Sequence, residues 1–178
     1  MTRPNWLYWN KAIDVSKILQ IAEKEITSDA TTFDNENPTH YRRSKIAWLT
    51  GNEEIMQILW PYVTAAADQF IVDVEAVSDF QYTEYHGTQK GKYDWHHDIN
   101  WGDTEGRDRK LSVTVQLSDT TEYEGGNFEF AEVENPKSDC RDKGTILIFP
   151  SYLQHRVAPV TSGVRKTLVA WFEGPKWQ

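Results

Sequence analysis

"KLSVTVQLS", Lys110 to Ser118, alternates apolar and polar residues along its whole length. In an extended chain Leu111, Val113, Val115 and Leu117 share one face, while Ser112, Thr114, Gln116 and Ser118 share the other. That is a strand whose two faces meet different surroundings. If the apolar face packs on other elements, the polar face lines something wet. A barrel interior holding a small polar ligand needs that arrangement.

The same period recurs on both sides. "FQYTEY" (80–85), "NFEFAEVE" (127–134), "TILIF" (145–149) and "RKTLVAWFE" (165–173) read as strands. "EGG", "NPKSD" and "TSG" read as the turns between them. Upstream the period becomes helical. Val15, Ile18, Leu19, Ala22 and Ile26 follow i, i+3, i+4 spacing behind Asp14, an N-cap candidate. A second stripe runs from Ile55 through Leu59 and Val63 to Phe70, interrupted by Pro61, so that helix is kinked or begins later. "TTFDNENPTHYRRSK" (31–45) reads as loop. The expected class is α+β, mainly β: helices over about 1–78 buttressing a sandwich or barrel over about 79–174, all in one domain of 178 residues.

Composition narrows the function. A net charge of −8 and no basic stripe longer than "YRRSK" argue against a nucleic-acid partner. No apolar run reaches the length of a membrane span. The start, "MTRPNWLYWNKAID", lacks the pattern of a secretory signal, and a lone Cys140 suits a reducing compartment, so a cytoplasmic location is expected.

The chemistry concentrates in "YDWHHDINW" (93–101), which holds two of the chain's five histidines beside an aspartate. Residues two apart in a strand face one side, so His96 and Asp98 converge and His97 points away; a turn using His97 and Asp98 is the alternative. His155 in "FPSYLQHRVAPV" is the best third ligand. Two histidines and a carboxylate form a facial triad with open positions, the pattern of non-haem Fe(II) oxygenases; zinc with a bound water is the competing chemistry. Downstream, Arg165 and Thr167 share strand parity, and a guanidinium grips a carboxylate through two parallel bonds. A structural pair with Asp or Glu is the plainer reading of Arg165.

"YTEYHGTQKGKYDWHHD", "RKLSVTVQLSDTTEYEGGNFEF", "KGTILIFPSYLQHRVAPVTSGVRKTLVAWFEG" and, more loosely, "RRSKIAWL" together resemble the Fe(II)- and 2-oxoglutarate-dependent dioxygenases. The similarity is to the prolyl 4-hydroxylase-like branch with its PKHD-type hydroxylases. It implies a double-stranded β-helix, or jelly roll, in which His96, Asp98 and His155 hold Fe(II). It further implies that Arg165, helped by Thr167, binds the distal carboxylate of 2-oxoglutarate. Tyr85 matches a pocket tyrosine, and Gln116 stands where relatives often carry tyrosine. Tyr93, Arg109 and Trp171 match positions that contact a target prolyl residue; core packing is the other reading of Trp171, and pairing with Asp103 or Asp108 that of Arg109. Related halogenases replace the metal carboxylate with a small residue, so Asp98 implies hydroxylation. Dioxygen is the second cosubstrate, ascorbate a reductant, and a proline-containing peptide or protein the expected partner. The alternatives are a 2-oxoglutarate-dependent hydroxylase of a small molecule or another side chain, and a non-enzymatic cupin-like module that binds a metal or dicarboxylate.

Overall fold

The computed structural model describes residues 3–25, 27–30, 38–102 and 106–177. In chain order its strands are β1 (Leu7–Trp9), β2 (Ser28–Asp29), β3 (Arg42–Arg43), β4 (Lys45–Trp48), β5 (Ala76–His86) and β6 (Lys92–His96). They continue as β7 (Asp108–Gln116), β8 (Tyr123–Gly125), β9 (Phe128–Phe130), β10 (Ile146–Pro150), β11 (His155–Val157) and β12 (Val160–Gly174). The helices are α1 (Ser16–Ala22), α2 (Pro38–Tyr41) and α3 (Glu53–Phe70).

Two antiparallel sheets face each other as a jelly roll. The larger has the order β1-β10-β7-β12-β5-β4-β2, with β8 attached to the start of β12. The smaller has the order β3-β6-β11-β9. Strand β12 is the spine of the larger sheet. It pairs with β5 from Val164↔His86 to Glu173↔Ala76, and with β7 from Thr167↔Gln116 to Gly174↔Asp108.

Alternation divides that sheet into two faces. Outward, Leu111, Val113, Val115, Leu168, Ala170 and Phe172 join the main core under α1 and α3. Inward, Ser112, Thr114, Gln116, Arg165 and Thr167 are equally buried but polar. Helix α3 follows from its own sequence. Asn52 caps it, accepting the Ile55 N–H at 3.0 Å, and Glu53 and Glu54 place negative charge at the positive end of the dipole. Ile55, Leu59, Val63, Ala66 and Phe70 recur at helical spacing and are buried. The helix begins at Glu53 and runs through Pro61, which lies on the exposed face, where water can replace the missing backbone donor.

Several expectations need correction. Helix α1 ends at Ala22; Ile26 lies outside the described residues. Its N-cap is Val15, with Asp14 one step earlier accepting the Ser16 N–H at 3.0 Å. The stretch read as helical and loop contains four strands, because β1 and β4 gain stability only by pairing with β10 and β5 far along the chain. Residues 38–45 are ordered structure rather than loop, and 31–37 fall outside the described residues. "EGG" and "TSG" are not free turns: β8 pairs with β12 through Val160↔Gly125 and Gly163↔Tyr123, and Gly125 and Gly163 supply positive φ of 73° and 68°. Only Phe128–Phe130 of "NFEFAEVE" is strand.

Leu59→Ala, at 0% exposure in the main core, is expected to cost about 2–5 kcal/mol, and Asn52→Ala at the cap about 1 kcal/mol. Urea unfolding of both variants checks the ranking.

Candidate active site

The site begins with a direct cross-strand pair, His155 of β11 opposite His96 of β6. Two positions on, Val157 pairs with Tyr93 rather than Asp94, so β6 carries one extra residue, a bulge. The bulge brings Tyr93 and His96 to one side although they are three apart; their rings stack at 3.5 Å with 12° between planes. Beyond the end of β6, the Asp98 N–H donates to the Ser151 carbonyl at 3.0 Å, which turns the Asp98 carboxylate back towards the histidines.

Ligating atoms of His96, Asp98 and His155 all lie within 4.8 Å of one another. Asp98 Oδ1 is 3.6 Å from His96 Nε2, and Asp98 Oδ2 is 3.5 Å from His155 Nε2. Each imidazole is oriented from behind: His96 Nδ1 meets the Asp94 carbonyl at 2.7 Å and His155 Nδ1 the Leu153 carbonyl at 2.9 Å. With Nδ1–H donating, both Nε2 lone pairs face the carboxylate, as a metal requires. The Ser112 hydroxyl donates to Asp98 Oδ2 at 2.6 Å and is itself 2.9 Å from the Ser151 hydroxyl. His97 takes no part; its Nδ1 meets the Tyr152 carbonyl on the exposed side.

Electrostatics favour metal-ready ligands. Burial, reinforced by His155, pushes His96 down to about 3, so its imidazole is neutral near pH 7. Burial opposes ionisation of Asp98, but His155, His96, the Ser112 hydroxyl and Arg109 outweigh it and hold the carboxyl below its ordinary range. Two imidazole nitrogens and one carboxylate oxygen, with a cavity beside them, fit a divalent metal that keeps positions open.

That cavity extends to Arg165, Thr167, Tyr85, Tyr93 and Trp171. Register explains the grouping: Arg165 pairs with Tyr85, and Thr167 with Thr83 and Gln116. Arg165 is 2% exposed and has no ion pair among the described residues; its guanidinium carbon sits 5.5 Å from the Tyr85 ring centre. Gln116 does not line this cavity but a second one that also reaches Arg165. Arg109 lines neither. A bulge at Lys110 puts Arg109 on the Trp171 side, with its guanidinium 4.2 Å from the Trp171 ring centre and 3.7 Å from Asp79 Oδ2. Asp108 instead accepts the Trp177 N–H, so it is not the partner of Arg109; Asp103 lies outside the described residues.

Gln81, Phe128, Phe149 and, most consequentially, Arg42 line the cavity without having been expected from the sequence. Arg42 is buried, with Nη2 2.7 Å from Gln81 Oε1, Nε 2.9 Å from Ser44 Oγ and its guanidinium 4.3 Å from the Tyr93 ring centre. "YRRSK" reads as a surface basic run because its partner Gln81 is 39 positions away.

Residues 80–173, more than half of the chain, match the family model of the 2OG-Fe(II) oxygenase superfamily. The chain belongs to that superfamily. Fe(II), 2-oxoglutarate and dioxygen are the metal and cosubstrates of these oxygenases, and the donor set above fits Fe(II). A PKHD-type hydroxylase from Synechococcus sp. (strain CC9311) is 42% identical over 85 residues, covering 48% of this chain and 38% of the relative. The alignment therefore spans well under half of that relative's length. Among solved structures, a Pseudomonas putida prolyl-4-hydroxylase superposes with a TM-score of 0.70 at 18% identity, covering 97% of this chain and 94% of the other. A prolyl hydroxylase from Trichoplax adhaerens, in complex with a hypoxia inducible factor peptide fragment, gives 0.72 at 19%, covering 94% and 83%. At such identities the likeness is one of fold.

The oxygenase site makes two predictions. Ser112→Ala is expected to weaken metal binding about 10- to 100-fold, and Ser112→Thr to keep it, in a Co(II) titration followed by absorbance. The second concerns acid. Because His96 titrates at about 3 in the fold and about 6.5 unfolded, the unfolded chain binds more protons between these values. Stability of the metal-free protein is therefore full above about pH 6.5 and falls towards pH 3, by at most about 1.4 kcal/mol per pH unit from this group. Melting temperatures against pH, with His96→Gln giving a shallower decline, check the sign.

Proposed function

We propose that the protein is a non-haem Fe(II) oxygenase acting on a prolyl residue of a peptide or protein. One observation carries the reading: the buried cluster of His96, Asp98 and His155 and the unpaired, buried Arg165 line a single cavity. A buried cation without a counter-ion is costly. The distal carboxylate of 2-oxoglutarate, chelated to the metal at its other end, would complete Arg165. In this reading His96, Asp98 and His155 are the iron ligands, and bound iron supplies the coupling of oxidative decarboxylation to C–H hydroxylation. Arg165, Thr167 and Tyr85 orient the cosubstrate, with Gln116 approaching Arg165 from the second cavity. Fixing both ends removes most of the orientational freedom the reaction would otherwise have to overcome.

The retained Asp98 carboxylate supports hydroxylation. Support for proline comes from two sources. Tyr93 and Trp171 give the cavity aromatic walls, and the Trp171 indole N–H is buried with no acceptor among the described residues, a donor suited to a peptide carbonyl. Arg109, pinned to Asp79, holds the Trp171 ring from outside the cavity. Two of the solved relatives are also prolyl hydroxylases by name, one with a peptide. Residues 1–178 act as one oxygenase domain in this reading, located in the cytoplasm. Cys140 suits that compartment, since burial and Asp139 push its thiol up to about 11 and leave it unreactive.

The test incubates protein, Fe(II), 2-oxoglutarate and air with a panel of proline-containing peptides and follows succinate and peptide mass together. Proline-dependent succinate with one oxygen gained by the peptide is expected, and Asp98→Ala abolishes both while His97→Ala retains most turnover. Arg165→Ala is expected to raise the 2-oxoglutarate requirement about 30-fold or more, the equivalent of roughly 2 kcal/mol, with iron affinity little changed. Succinate without peptide oxidation contradicts the prolyl substrate. No succinate from iron-loaded protein contradicts the oxygenase activity.

A further inference from the structure

Arg165 borders two cavities. The metal cavity has a volume of about 40 Å³; the second, of about 320 Å³, shares Arg165 and Phe128 with it, so the two cavities meet at these side chains. The second cavity begins among the exposed residues Asn135, Lys137 and Ser138 and ends at buried Gln116 and Arg165. It therefore runs from exposed residues to Arg165, and none of His96, Asp98 and His155 lines it.

Its charge runs against that of the molecule. The chain carries a net −8, yet this cavity is lined by Lys137, Arg141 and Arg165 against a single carboxylate, Glu129. That carboxylate is already engaged, with Arg156 Nε and Nη2 both 2.7 Å from Glu129 Oε2. Arg141 is held in place, donating to the Gly125 carbonyl at 2.9 Å and to Asn127 Oδ1. Lys137 has no ion pair among the described residues. Gly126, at φ 65°, packs so close to Arg165 that an added Cβ would stand 3.0 Å from Arg165 Cδ and 2.8 Å from Val160 Cγ2. Arg165 is thus held closely along its stem, and it is the unpaired cation at the inner end of a positively lined passage.

We infer that the second cavity is the route by which the dicarboxylate reaches and leaves Arg165, separate from the mouth that admits the oxidised substrate. This rests on the proposed oxygenase reading and adds to it a path. A positively lined passage concentrates a dianion and raises its association rate, an effect that salt removes. A bound peptide over Tyr93 and Trp171 then leaves 2-oxoglutarate and succinate free to exchange.

The test is stopped-flow binding of 2-oxoglutarate to the anaerobic Fe(II)-loaded protein, read by the absorbance that arises on chelation, with Lys137→Glu and Ser138→Trp as variants. Both positions are exposed and outside the metal cavity. Lys137→Glu is expected to slow association about tenfold at low salt, with the difference shrinking in 0.5 M salt, ~3–4 times the physiological ionic strength. Ser138→Trp narrows the passage and is expected to slow association and dissociation together, leaving Kd near the parent value. That signature belongs to a route; loss of a binding residue would raise Kd instead. Parent rates in both variants overturn the inference, as does slowing by Lys137→Glu alone, which would reflect only a distant field. A parent protein that binds iron but no 2-oxoglutarate overturns the oxygenase reading with it.

Discussion

Strand β12 has to satisfy two neighbours at once, and the rest of the molecule follows from that constraint. With β5 on one edge and β7 on the other, its register is fixed from both sides, and so is the face each side chain presents. Leu168, Ala170 and Phe172 are committed to the apolar core beneath the helices. Arg165, Thr167 and Trp171 are thereby committed to the interior. A slip of one residue would bury a guanidinium among hydrocarbon and expose the core, so the fold's stability and the site's geometry rest on the same pairing.

Regular alternation alone would not build the site. The β6 bulge lets Tyr93 and His96 stack, and the bulge at Lys110 in β7 turns Arg109 onto Trp171. A third irregularity, at Ser78 in β5, sets Asp79 opposite Trp171, within reach of Arg109. In each case one inserted residue re-aims a side chain at the rim while the centre of the sheet stays regular. Irregularity falls where the cavity opens, and regularity where the core must hold.

The sequence made the centre legible for a simple reason. Strands β5, β7 and β12 each carry their own alternation, so parity placed Arg165 and Thr167 facing inward. The His-x-Asp spacing is local too, although Asp98 lies beyond the end of β6 and is aimed by its N–H bond to the Ser151 carbonyl. The strands of the N-terminal part were not legible. Two to four residues such as Arg42–Arg43 or Lys45–Trp48 show no period, and they are strands only because β6 and β5 accept them. Arg42 was missed for the same reason, since burial by Gln81 and Tyr93 is a tertiary fact. The partner of Arg109 and the cavity assigned to Gln116 also depend on bulges and loops that leave no mark in composition.

We propose that one cavity holds a metal at His96, Asp98 and His155 and a dicarboxylate between that metal and Arg165. A crystal structure of the protein grown anaerobically with Mn(II) and 2-oxoglutarate tests it most directly. Metal on both Nε2 atoms and an Asp98 oxygen, with the distal carboxylate paired to Arg165, is the expected result. Metal bound elsewhere, or a dicarboxylate that leaves Arg165 unpaired, would contradict it.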